Sequence, residues 1–285
     1  MSPNLKGILL MTLAMAMLTL GDTSIKLMAD RYPHSVFMMV AGIGLVVVLA
    51  VATSLAGHRI LDRRALTRAP MIRNVTEVFA AMAMIYALSA VPFTILTLVM
   101  QAMPLIVTLG AVLFFRETVG PRRWAAILAG LMGVLIILRP GGQVFDPAWL
   151  FAVVAALALS ARDLASRAVP GDISTLQISL WGGIGVAVVG TLMQLSSGQG
   201  IPRIPLSDIP GFLAIIGFWT GGVFAVTSAM RSGDVAVVAP FRYMRLPFGL
   251  LIGVLVFSET IDSGMILGAA VIVAAGLYIF FRERR

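Results

Sequence analysis

The apolar positions of this chain neither alternate nor trace one narrow helical stripe. They fall in long continuous runs, separated by short polar or Pro- and Gly-containing stretches, and Met38–Ala56 is typical. A membrane-spanning helix needs roughly 20 such residues, whereas a membrane barrel would show alternating segments of ~10. The pattern therefore predicts ten spanning helices: Leu5–Ala29, Ser35–Ala56, Met71–Ala90, Pro92–Phe115, Trp124–Leu138, Ala148–Ala168, Thr175–Leu195, Pro210–Met230, Val235–Phe257 and Met265–Phe281. The first run follows Lys6 as a secretory signal would, but it continues to Met28 without a convincing cleavage site, so a retained helix is expected.

Composition agrees. Of 285 residues, 59% are hydrophobic and 12% charged, about half the charge that covers a soluble domain. Ten helices leave about 85 residues for termini and connections, too few for an extramembrane domain. The expected fold class is all-α and integral to the membrane. With no cysteine, thiol chemistry and disulfides are excluded. The net charge of +8 reads as loop arginine, not as a nucleic-acid surface.

Arginine placement gives an orientation. With a cytoplasmic N-terminus, inside segments hold fifteen Lys and Arg, among them Arg59, Arg63, Arg64, Arg68 and Arg73, whereas outside segments hold only Arg31, Arg139 and Arg203. That bias predicts both termini in the cytoplasm and a multi-pass protein of the inner, or plasma, membrane.

The chain also echoes itself. Phe115-Arg-Glu-Thr118 returns as Phe257-Ser-Glu-Thr260 at an offset of 142, Asp22-x-x-x-Lys26 as Asp163-x-x-x-Arg167 at 141, and Gly133 and Arg139 as Gly276 and Arg282 at 143. The spacing predicts two five-helix repeats, 1–142 and 143–285, the second inverted because five crossings reverse its sense. Inverted repeats are a transporter architecture with its site near the midplane.

These residues, with Lys6-Gly7, Pro104, Gly-Pro-Arg-Arg-Trp at 120–124, Gly130, Arg139-Pro140 and Ala239-Pro240, make the chain resemble the drug/metabolite transporter superfamily, in its ten-helix EamA-domain branch. The resemblance implies secondary transport of small organic metabolites: amino acids and related compounds or, in some branches, vitamins and nucleotide-like cofactors.

Charge inside a membrane costs roughly 2.5–3.5 kcal/mol per group at the centre, so each such residue needs an account. Arg242 and Arg245 are three apart in the ninth run, flanked by Pro240 and Pro247. They read either as a clamp on a substrate carboxylate or as partners of Glu77 or Asp163. Asp22 and Lys26 are four apart and can pair across a turn; they read as a gate or as an ion pair reaching the interface. Asp163 and Arg167 are their repeat counterparts. Glu77 reads as a proton-coupling group or as the partner of Arg73. Tyr86, Gln101, Gln177, Trp181, Trp219 and Tyr243 supply polar edges to an otherwise apolar site. Gln101 and Tyr243 occupy equivalent repeat positions, and Pro104 should open the helix near residue 100. Gly249-x-x-x-Gly253 and Gly264-x-x-x-Gly268 read as helix contacts.

No phosphate-binding loop, hydrolase motif or metal-ligand spacing occurs, so no enzyme, no cofactor and no metal is expected. The expected function is secondary transport, foremost export of small metabolites such as amino acids by alternating access. The alternative is uptake of a vitamin or nucleotide-like cofactor of the riboflavin or S-adenosylmethionine type. Partners are the small-molecule substrate and membrane lipid, with no nucleic acid, and a monomer is expected.

Overall fold

The computed structural model describes residues 2–60, 62–116, 120–139, 145–170, 173–198, 200–232 and 235–282. The described residues are helical with short connections, and no strand occurs among them. Among them twelve α-helices follow one another: α1 (Pro3–Met28), α2 (His34–Leu55), α3 (Arg68–Ala90), α4 (Phe93–Met100), α5 (Met103–Phe115), α6 (Pro121–Leu138), α7 (Leu150–Arg167), α8 (Thr175–Ser196), α9 (Ile209–Ser232), α10 (Val235–Val238), α11 (Arg245–Leu255) and α12 (Ser263–Arg282).

Among the described residues, eight segments are long and apolar enough to cross a membrane, and a shorter apolar helix occupies Ser263–Ile279. One of the eight, Phe93–Phe115, is α4 and α5 joined through Gln101 and Ala102, which accords with the opening expected at Pro104. The ninth run differs from a continuous helix. It comprises α10, a 3-10 turn at Ala239–Met244 and α11, because Pro240 enters the tighter winding at its first positions and cannot donate to an α-helical bond.

The helices pack in a regular scheme: α1 lies on α9, α3 on α7, α2 on α8, α6 on α12, and α4 on α11. Small residues set the closest approaches. A Cβ on Gly133 would stand 2.8 Å from the Gly268 carbonyl oxygen, and one on Gly268 would stand 2.6 Å from that of Gly133, so α6 and α12 cross backbone to backbone. Gly249 and Gly253 of α11 lie on Thr97 and Thr94 of α4. The expected role of Gly249, Gly253 and Gly268 as helix contacts accords with this packing, whereas Gly264 faces the Arg139 guanidinium beyond the end of α6.

Arg116 (φ 55°), which caps α5, and Ser258 (φ 54°), three residues beyond α11, both adopt the left-handed region, a conformation that costs a non-glycine residue roughly 1–2 kcal/mol. They are the second residues of the two related four-residue motifs. Glu117, Thr118 and Pro140 lie outside the described residues, as does the side chain of Arg167.

Candidate functional site

The hydroxyls of Thr19 and Thr23 in α1 donate back to the carbonyls of Met15 and Thr19, at 2.7 Å each. The chemistry that α1 offers to its neighbours is therefore carried by Asp22 and Lys26. Asp22 is 4% exposed. Beside it, Gly21 admits the indole of Trp219 from α9, which a Cβ would strike. Trp219 Nε1 donates to Asp22 Oδ1 at 3.1 Å, and Arg245, the first residue of α11, pairs with Asp22 Oδ2. Three helices thus meet on one buried carboxylate.

This arrangement corrects two expectations. Asp22 and Lys26 do not pair across a turn. Instead Lys26 Nζ reaches the far end of α3 and donates to the carbonyls of Val91 at 2.5 Å and Leu88 at 3.3 Å, with its charge 5.5 Å from the centre of the Phe257 ring. Nor do Arg242 and Arg245 share one environment. The change from 3-10 to α winding falls between them, and Arg242 is exposed while Arg245 turns inward. The partner of Arg245 is Asp22, and neither Glu77 nor Asp163.

Elsewhere in the bundle are polar groups that the described residues leave unpaired. Gln101 is 6% exposed, and its amide nitrogen has no hydrogen-bond partner among the described residues. The same holds for the Tyr243 hydroxyl and the Trp181 indole nitrogen. The Tyr243 hydroxyl lies against the backbone of α12 at Gly276, in the space a Cβ would fill. Tyr86 stands apart, since its ring stacks on His34 with centroids 4.1 Å apart and planes 7° apart.

Each end of the bundle has its own polar ties. At the arginine-rich end, Arg73 pairs with Glu77 at 2.5 Å, Arg162 of α7 reaches Glu77 at 3.4 Å, and Arg162 pairs with Asp163 at 2.8 Å. Arg73 also donates to the carbonyl of Ile178 in α8 at 3.2 Å. Glu77 is therefore held by Arg73, the structural reading of the two. Gln177 lies at this end as well: with Ser174 it closes a capping box on α8, and its amide donates to the Arg59 carbonyl at 3.0 Å.

At the opposite end, Asp208 accepts from the Tyr32 hydroxyl at 2.7 Å and pairs with Arg31 at 3.0 Å. Donation to that carboxylate holds the Tyr32 phenol above its ordinary value. Glu259 accepts from the backbone N–H groups of Phe93 at 2.5 Å and Thr94 at 2.6 Å, capping α4.

Three contributors escaped the sequence reading. Arg162, one of the fifteen inside charges, stands beside Asp163 on an apolar helix, and that placement is its only signal in the sequence. Glu259 served only as a repeat landmark. Asp208 carried no signal, because its partners lie far away in the chain.

Residues 5–139 match the profile of the EamA-like transporter family. The riboflavin transporter of Rhizobium johnstonii is 31% identical over 218 residues, covering 75% of this chain and 70% of that one. The S-adenosylmethionine uptake transporter of Rickettsia bellii is 26% identical over 217 residues, covering 75% and 73%. A solved crystal structure superposes with a TM-score of 0.64 at 19% identity over 99% of both chains, which is a likeness of fold.

Proposed function

The chain belongs to the EamA-like transporter family, and from that premise we propose that it is a secondary transporter taking up a heteroaromatic vitamin or cofactor of the riboflavin or S-adenosylmethionine type. Transport of a small metabolite follows from the family; the cargo and its direction are the proposal. The similar chains named for riboflavin and for S-adenosylmethionine uptake favour this over the export of amino acids.

The observation that carries the reading is the trio of Asp22, Trp219 and Arg245. Its two formal charges cancel, so it offers no spare cation to clamp a carboxylate. What it presents is an indole beside a rigid polar pair, with Gln101 and Tyr243 carrying unspent polar groups. Such a lining suits a flat ring system with polar edges, which stacks on aromatic side chains and orients by hydrogen bonds.

We take the chain as two inverted five-helix repeats, 1–142 and 143–285, with both termini in the cytoplasm and the site between them. The reciprocal packing of α1 on α9 and α3 on α7 supports this, as do the matching left-handed residues Arg116 and Ser258. In that scheme the ties at the two ends alternate, one set opening as the other closes.

Uptake into proteoliposomes tests the proposal, with labelled riboflavin, S-adenosylmethionine and alanine offered separately. Saturable uptake of one of the first two, lost in W219A, is expected. Transport of alanine alone would overturn the cargo class.

A further inference from the structure

We propose that the arginine-rich end holds a binding site for one anionic phospholipid, its headgroup on Arg59, Arg63 and Arg68 and an acyl chain in a slot between α3 and α7. The site is separate from the transported cargo and does not depend on its identity.

The headgroup half begins with Asp62. Its carboxylate caps the short 3-10 turn at Arg63–Leu66, accepting from the Arg64 backbone N–H at 2.9 Å. It also accepts from the Arg64 guanidinium at 2.7 Å and from the Gln177 amide at 3.3 Å. The loop is thereby pinned to α8, and the carboxylate is already matched. A recess of about 420 Å³ opens here, lined by Arg59, Asp62, Arg63 and Arg64. With Asp62 matched, its net character is cationic, and Arg59 and Arg63 are exposed.

The acyl half follows directly in the chain. Arg68 opens α3 and stands on the wall of a second recess of about 310 Å³, whose other walls are Ala69 and Ile72 of α3, Ala165 of α7 and Ala168, the residue that caps α7. The alanines make the slot by being small. Ile72 is 50% exposed while its neighbour Arg73 is 7% exposed, so the slot lies on the outer surface of the helix pair and the ion network behind it.

A cationic recess and, on the residues that follow it in the chain, an apolar slot walled by Arg68 match a lipid that carries a net negative phosphate and a hydrocarbon tail. An inorganic anion would use the first half alone, and a zwitterionic lipid would give the arginines no net charge to meet. A chain in the slot would brace α3 against α7 just outside Glu77 and Arg162.

Native mass spectrometry of the full chain in detergent tests this with phosphatidylglycerol, phosphatidylcholine of the same chain length, and inorganic phosphate. One phosphatidylglycerol per chain should be retained, with the other two probes bound at least tenfold more weakly. The double variant R59Q/R68Q alters exposed residues and should unfold at the wild-type temperature, yet bind the lipid roughly 25-fold more weakly, at about fivefold per arginine. A168W, which fills the slot, should also lose the lipid. Equal retention of phosphatidylcholine, displacement by phosphate, or undiminished binding in R59Q/R68Q would overturn the site.

Discussion

Arg245, the first residue of α11, forms an ion pair with Asp22, near the end of α1, across 223 positions of sequence. Each neutralises the other from a different helix, and Trp219 holds the carboxylate from a third side.

Removing one member should therefore cost far more than removing both. D22N alone, or R245Q alone, leaves an uncompensated buried group, a loss of about 3–5 kcal/mol. The double variant D22N/R245Q should recover much of that. Thermal unfolding in detergent measures the difference, and all three variants should lack uptake, because the pair also sets the chemistry of the proposed site.

The crossing of α6 and α12 should be the least tolerant of added volume. Gly268→Val puts side-chain carbons into the Gly133 carbonyl and Ile137, and overpacking of this kind costs about 1–3 kcal/mol. Gly217→Val in α9 meets nothing within 4 Å and should unfold close to wild type. A smaller loss for Gly268 than for Gly217 would contradict the packing.

Glu259 links the end of α11 to the start of α4 through two backbone N–H groups. E259A should lower stability by about 0.5–2 kcal/mol, the range for losing a helix cap, while E259Q keeps an acceptor oxygen and should lose less. Unfolding midpoints of the two variants, ranked against wild type, check the order.

The loop before α3 supplies a pH dependence. The Arg64 side chain and backbone N–H hold the Asp62 carboxyl down to about 2, below its ordinary ~3.9. A depressed value favours the folded state above the unfolded pKa, and that contribution is lost as pH falls from about 3.9 toward about 2. A carbon-detected titration of Asp62 should show a midpoint near 2, and D62N should raise tryptic cleavage after Arg63 and Arg64 at neutral pH.

The membrane-embedded helical class was legible in the chain because apolar run length is a local property and hydrocarbon thickness is fixed. Arg73 and Glu77, four apart in α3, were legible for the same reason, since an i,i+4 pair needs only one helix. So was the opening at Gln101, which follows from the ring of Pro104 three residues on.

The partners of Asp22, Lys26 and Arg245 were not. Asp22 and Lys26 have the spacing of a pair, yet each found a better partner on another helix. Which partner wins depends on how α1, α3, α9 and α11 pack, and no local pattern encodes that. Where the chain enters the hydrocarbon, and which charges must find compensation there, is written in the residues alone, because the cost of an unpaired charge in lipid is independent of the fold. Who compensates whom is set by helix packing, because a side chain a few ångströms long meets whatever the neighbouring helix presents.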